Sequence, residues 1–542
     1  MKHTILLKGD RPQDLKKAGE LLRAGGLVAI PTETVYGLAA NALDGAAVKA
    51  IYQAKGRPSD NPLIVHICDF GQLPPLVREV PEAAKQLAQA FWPGPLTIIL
   101  KKSGLVPAET SGGLDTVAVR FPAHPVAQAV IREAGVPLAA PSANLSGRPS
   151  PTTFAHVEED LTGRVDALVD GGDCAVGVES TVITLAEGVP KVLRPGGVTV
   201  AQLREVLGRV EVDPAVLHKL EEGKRAASPG MKYKHYAPQA QVYLVDASPE
   251  DYETYVNQQG DGTALCFDED APRLTVPFVS YGSRYDGAKQ AHLLFSALHY
   301  LDQVGAKKAY ARVPAKRGVG LAVYNRLIRA AAFRVLRPRP CLTVGLVGPS
   351  GAGKSTVGKL LAQGGCAVID CDALTRDPAV YDEGCLQELR AAFGPEVVRE
   401  GALDRKLLAQ RAFAAPGGKE RLQAITFPRI LVRVQELRAQ AEAQGCPAVV
   451  LDAPTLFEAG LDRSCARILA VTAPEELRLA RVVKRDHITE EQARLRFSAQ
   501  KPGEFYAARG DYLVDTGGST PLEEAVAPIL AELTAPPEEN SL

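Results

Sequence analysis

Short apolar runs alternate with longer amphipathic stretches along this chain, and the alternation changes character twice. Within 1–210, the runs Leu27–Ile30, Leu63–Ile67, Leu96–Leu100 and Val117–Arg120 read as strands set among helical stretches in no strict order. That pattern predicts an α+β or mixed-sheet domain. Within 239–336, a strand at Val242–Val245 opens a small α/β unit, and a helix around Tyr324–Ala332 closes it. From the apolar run Cys341–Val347 to about 533, strand and helix alternate regularly, as in a doubly wound parallel sheet.

Two seams separate these patterns. Gly223–Pro238 is too rich in Gly, Pro and basic residues for a regular element. Arg337-Pro-Arg-Pro340 carries two prolines that block a helix and disfavour a central strand. The reading is α/β multidomain: a mixed domain at 1–210, a linker at 211–238, a small accessory domain at 239–338 and a third domain at 341–535. The last residues, Thr534–Leu542, are expected to fray.

A chain of 542 residues suits three or four domains. With 46% hydrophobic and 23% charged residues, it is not a disordered sequence. Lys and Arg number 62 against 63 Asp and Glu, a net charge of −1, which argues against strong direct nucleic-acid binding. No apolar run reaches the roughly 18 residues of a membrane helix, and MKHTILLKGD is not expected to be a signal peptide. Nine scattered cysteines without a Cys-x-x-Cys pair suit free thiols in a reducing cytoplasm and no metal cluster.

The strongest motif is Gly348-Pro-Ser-Gly-Ala-Gly-Lys-Ser355, which follows a strand and opens a helix. In such a loop the backbone N–H groups and the helix N-terminus cradle phosphates. Gly351, Ala352, Gly353, Lys354, Ser355 and Thr356 would bind ATP there, with Lys354 on the β- and γ-phosphates and the Ser355 hydroxyl on Mg²⁺. The next strand leads to Asp372, either a base for an acceptor hydroxyl or the cap of the following helix, with Arg376 four residues on in that helix. Asp452 ends a third strand, either in the Mg²⁺ shell or as a buried, hydrogen-bonded carboxylate. Arg481 and Arg485 share a helical face, as lid arginines or as solvated charges, and Thr489–Gln492 caps the next helix.

These residues resemble dephospho-CoA kinase over about 341–520. The resemblance includes Val368–Arg376, Phe393-Gly394, Asp404-Arg405, Ile425–Pro428, Asp452–Leu461, Arg481-x-x-x-Arg485-Asp486, Ala499-Gln500 and Asp511–Asp515. It implies transfer of the ATP γ-phosphoryl group to the ribose 3′-hydroxyl of dephospho-CoA, with Asp372 as base. Phe427, Thr516 and Gly510 depart from the usual His, Asn and Ala, and bear on acceptor affinity.

Residues 1–338 hold no such loop but carry polar clusters at strand ends. Lys55, Arg57, Arg120 and Arg194 are cations for a polyphosphate or carboxylate. Thr34, Ser142, Ser180, Asn61 and Asn144 offer neutral hydrogen bonds. Taken singly, each cluster reads as well as a turn or a salt bridge. Together, Lys55-x-Arg57 and Ser142-x-Asn144 resemble the YrdC-like threonylcarbamoyl-AMP synthases. Ser228–Pro238 and Gly318–Arg326 are similar to that family's longer two-domain type.

The resemblance implies condensation of L-threonine, bicarbonate and ATP to threonylcarbamoyl-AMP and pyrophosphate, for delivery to proteins that modify an adenosine of tRNA. By motif, Thr34, His66, Arg120, Ala140 and Ser180 would hold threonine. Arg57, Asn61, Thr116, Ser142, Asn144, Ser150, Arg194 and Tyr236 would hold ATP, with Lys55 on the phosphates and the linker as a flap or, alternatively, a basic tether. The whole then reads as a bifunctional enzyme. The alternative is one catalytic domain with the other a nucleotide-binding regulatory module.

Overall fold

The strand Val28–Ile30 is buried along its whole length and lies third in an eleven-stranded mixed sheet. In spatial order the strands are Ile5–Lys8, Ala167–Asp170, Val28–Ile30, Gly37–Asn41, Leu138–Ala139, Ile64–His66, Thr116–Arg120, Leu96–Lys101, Thr181–Thr184, Lys191–Arg194 and Glu211–Val212. Apolar clusters cover this sheet, one around Ile51, Leu87 and Leu161 and another around Leu22, Val130 and Ile131. Parallel pairing sets Ile64 beside Ala118 and His66 beside Arg120. Two polar residues thus end adjacent strands at the same edge.

The computed structural model describes residues 2–218, 236–399 and 401–535. Most of the Gly223–Pro238 seam, including the Ser228–Lys234 stretch, and residues 536–542 of the tail lie outside them. The stretch read as a linker from 211 begins as structure. Glu211–Val212 is an edge strand on Lys191–Val192, and Pro214–Val216 is a single helical turn capped by Asp213.

The small domain has a five-stranded parallel sheet in the order Phe278–Ser280, Thr263–Cys266, Lys308–Arg312, Gln241–Val245 and Val335–Leu336. It closes on that last short strand rather than on the helix, which spans Gly320–Ala330.

The C-terminal sheet is also five-stranded and parallel, ordered Ala367–Asp370, Ala448–Asp452, Leu342–Val347, Arg467–Thr472 and Tyr512–Asp515. Regular alternation fails between its first two strands in space. There the chain inserts helices Glu383–Phe393, Arg405–Ala414 and Gly418–Ala443 with a two-strand ribbon, packed around Cys385, Leu389 and Leu408. The described residues fall into two compact units, those within 1–245 and 256–336, and those within 246–255 and 337–542. Among the described residues, no helix is long and apolar enough to cross a membrane.

Candidate active sites

In the first unit, the loop after Val28–Ile30 folds back on itself. The Thr32 hydroxyl donates to the Val35 carbonyl at 2.6 Å and shares a 2.9 Å hydrogen bond with Thr34. Arg120, at the end of its strand, donates from Nη1 to the Thr34 hydroxyl at 2.8 Å and pairs with the Glu33 carboxylate at 2.7 Å. Burial alone would raise the Glu33 pKa, but Arg120 holds it below its ordinary value.

His66 lies beside Arg120, and its Nδ1 meets the Ile64 carbonyl at 3.2 Å. A carbonyl only accepts, so Nδ1 carries a proton in this contact. Burial, reinforced by the Arg120 charge, pushes the His66 pKa down to about 3, so the ring is neutral.

The second wall is a crossed pair of strand ends. Arg194 donates from Nε and Nη2 to the Ser180 carbonyl at 3.1 and 3.0 Å, and from Nη2 to the Ser180 hydroxyl at 3.1 Å. That hydroxyl is 2.8 Å from the Thr97 hydroxyl. Arg57 donates to the Pro62 carbonyl at 3.3 Å, and burial pulls its pKa down to about 10.

The structure gathers Thr34, Arg57, His66, Arg120, Ala140, Ser142, Ser180, Arg194 and Tyr236 around one small cavity of about 40 Å³. Three guanidiniums, those of Arg57, Arg120 and Arg194, stand on its walls together with the Glu179 carboxylate.

Five residues named from the sequence stand outside that lining. Lys55 stands furthest from its expected place. It is 3% exposed, and its ammonium donates to the Ser142 and Asn144 carbonyls instead of facing the cavity. Burial drives its pKa well below the usual lysine value. Asn144 spends its amide on the Leu145 and Arg148 carbonyls. Ser150 lies behind the wall, donating to Glu179 at 2.5 Å. Asn61 accepts on its carbonyl from Tyr52 at 3.0 Å. Thr116 opens its strand at the end opposite Arg120 and pairs with Lys101 of the neighbouring strand.

Thr32, Glu33 and Glu179 fall in polar clusters that the sequence marks at Pro31–Leu38 and Glu179–Val182, but without a role of their own. Their only signal was adjacency to Thr34 and Ser180, because an acid next to a hydroxyl carries no motif of its own.

In the second unit, the loop after Leu342–Val347 turns through Gly348, where a Cβ would strike the Val471 carbonyl, and reaches the helix Lys354–Gln363 through Gly353 at φ +97°. Lys354 donates to the Gly348 carbonyl at 2.8 Å. Burial lowers its pKa, while Asp452 and Asp372 pull the other way. A cleft of about 790 Å³ is lined by Gly351, Gly353, Lys354, Ser355, Thr356, Asp370, Asp372, Asp452, Arg481 and Arg485, among others. Ala352 is fully buried beneath it.

The helix after Ala367–Asp370 is capped by Asp370, whose Oδ1 accepts from Ala373 N at 3.0 Å. Asp372 is therefore not the cap. Burial, then the Asp370 charge, raises its pKa. The capped helix ends at Leu374, so Arg376 lies beyond it and does not line the cleft. Arg481 donates to the Gly351 carbonyl at 3.2 Å and to the Thr516 hydroxyl at 2.7 Å. Arg485 lines the cleft while paired with Asp486 at 2.7 Å. Lys419 and Arg496, on separate helices, also line the cleft and carried no sequence signal.

Comparison with known proteins decides between the readings. A Sua5–YciO–YrdC family profile, titled telomere recombination, matches residues 20–196. A threonylcarbamoyl-AMP synthase C-terminal domain profile matches 198–332, and a dephospho-CoA kinase profile matches 342–521. A threonylcarbamoyl-AMP synthase of Pyrococcus abyssi is 46% identical over 333 residues, 60% of this chain and 95% of that protein. A dephospho-CoA kinase of Anaeromyxobacter dehalogenans is 40% identical over 177 residues, 32% of this chain and 84% of that protein.

The chain belongs to both families, threonylcarbamoyl-AMP synthase and dephospho-CoA kinase. The P. abyssi Sua5 structure complexed with L-threonine matches at 43% identity and a TM-score of 0.57, covering 62% of this chain and 99% of that one. The synthase half makes threonylcarbamoyl-AMP and the kinase half phosphorylates dephospho-CoA, so this is a bifunctional, ATP-using enzyme.

Proposed function

We propose that the two cavities are the two active sites, and that each half works with its own ATP. In the synthase half, Arg120 and the Thr34 and Ser180 hydroxyls hold the threonine carboxylate and side chain. The neutral His66 ring lines the same cavity. The neutral threonine amine attacks the bicarbonate carbon and water leaves, giving the carbamate, whose oxygen attacks the α-phosphorus in line as pyrophosphate leaves. Arg57 and Arg194, with Ser142, Ser150, Asn61, Thr116 and Tyr236, orient the nucleotide and offset the charge that repels the carbamate. Lys55 and Asn144 hold the Ser142–Asn144 loop in place. The supporting observation is the closing of three buried guanidiniums with Thr34, His66 and Ser180 on one cavity.

In the kinase half, the loop Gly351–Thr356 and Lys354 hold the ATP phosphates. Asp372 takes the proton from the acceptor ribose 3′-hydroxyl as it attacks the γ-phosphorus, and ADP leaves. The oxygens of Ser355 and Asp452 around one cleft fit Mg²⁺, which favours oxygen ligands and keeps substrate phosphates and water for the rest. Among the described residues, no group of three His, Cys, Asp or Glu could hold a metal without that help. Bound there, Mg²⁺ neutralises charge on the phosphates.

Threonylcarbamoyl-AMP passes to proteins that modify an adenosine of tRNA. The near-neutral chain need not grip RNA itself, and its nine free cysteines suit the cytoplasm. We divide the chain at 1–210, 239–338 and 341–535 for these roles. Substrate omission tests the reading: pyrophosphate release must require threonine and bicarbonate together, and CoA formation must require dephospho-CoA. Release that ignores threonine, or failure to form CoA, sinks the corresponding half.

A further inference from the structure

Arg326, on the helix Gly320–Ala330, is wholly buried and reaches the back of the synthase cavity without lining it. Its Nε donates to Glu179 Oε2 at 2.9 Å and its Nη2 to the Glu179 carbonyl at 3.3 Å. Its Nη1 donates to the Pro195 carbonyl at 2.5 Å. Glu179 precedes Ser180, and Pro195 follows Arg194. One guanidinium therefore clamps the two strand ends that meet at the Arg194–Ser180 contact.

The other Glu179 oxygen accepts the Ser150 hydroxyl proton at 2.5 Å, and the Tyr236 ring lies 5.9 Å from the Arg326 guanidinium carbon. The clamp has no slack, because a Cβ on Gly196 would collide with the Glu179 carbonyl and the Thr181 nitrogen. A buried ion pair is a poor source of stability, since desolvation offsets its attraction. Its value is in fixing geometry. After Arg326, the cation that acts most on the Glu179 charge is Arg194, which lines the cavity.

We propose that Arg326 is a positioning residue of the synthase. It takes up the Glu179 charge and sets Ser150, Ser180 and Arg194 for the nucleotide, so the small domain completes the ATP site. This rests on the assignment of Ser150 and Arg194 to the nucleotide.

The test measures threonine-dependent pyrophosphate release by full-length wild type, Ser150→Ala, Arg326→Gln, Arg326→Lys and the double variant Glu179→Gln/Arg326→Gln, with CoA formation as a check on the chain. For Arg326→Gln, the KM for ATP should rise about tenfold or more, while kcat and the KM for threonine stay within about threefold. Arg326→Lys should recover part of the loss. Removing Glu179 as well should recover most of it, because the stranded carboxylate is then gone.

A purely structural role predicts kcat and both KM values worsening together and no recovery in the double variant, and that outcome overturns the inference. So does an unchanged KM for ATP in Arg326→Gln when Ser150→Ala raises it. If Ser150→Ala leaves that KM unchanged, the nucleotide-site assignment itself is wrong and the inference falls with it. If Arg326→Gln does not fold, the lysine and double variants decide by the same split.

Discussion

Arg481 donates to the Thr516 hydroxyl at 2.7 Å, and that hydroxyl donates onward to the Ala352 carbonyl at 2.7 Å. The phosphate loop is thus propped from two directions, since Arg478 also donates to the Ser350 carbonyl at 3.1 Å. Thr516→Val keeps the shape and removes both hydrogen bonds, each worth about 1 kcal/mol net. The KM of the kinase for ATP should rise about three- to tenfold, with little change in the KM for dephospho-CoA, as steady-state CoA formation will report.

Asp372 is the second point. Burial and the Asp370 charge hold its pKa above the ordinary carboxylate value, which brings it closer to a working base. Asp372→Asn should lower the kinase kcat by about 10²- to 10⁴-fold with ATP affinity retained. The acid limb of the wild-type kcat profile should lie above the usual aspartate range and disappear in the variant.

Arg120 and Glu33 are buried together, so removing one strands the other. Arg120→Ala should cost the synthase unit about 3–5 kcal/mol and raise the KM for threonine. Adding Glu33→Gln should return stability but not threonine affinity. Unfolding curves and pyrophosphate kinetics on the same samples separate the two effects.

His156 and His299 stack with ring centroids 3.8 Å apart, and burial pushes both pKa values down to about 4. In the unfolded chain each titrates near about 6.5. As pH falls from that value toward about 4, the unfolded state binds protons that the folded state refuses, so stability drops. The double variant His156→Phe/His299→Phe should flatten that slope by about two protons, measured as unfolding free energy against pH.

The β-branched strand runs and the phosphate loop were legible because local pattern and local chemistry agree there. Arg120 was legible as the end of its apolar run, but His66 sits inside the run Leu63–Ile67, and only the pairing of the two strands sets the residues side by side. The insertion of helices before Ala448–Asp452 was not, because nothing in periodicity says which strand a helix returns to. The Lys55 fate was equally hidden. A lysine defaults to solvent or ligand, and its acceptors come from a loop 87 residues away. Glu179 and Arg326 lie 147 positions apart, and only the fold brings the pair together.

The most direct test of two separate sites in one chain is a crossed assay of Arg194→Ala and Lys354→Ala. Each variant is given threonine, bicarbonate and Mg-ATP in one tube and dephospho-CoA with Mg-ATP in another. Arg194→Ala should lose threonine-dependent pyrophosphate release by about 10²-fold or more and keep CoA formation. Lys354→Ala should do the reverse. Loss of both activities in either variant, or CoA formation that survives Lys354→Ala, would contradict the account.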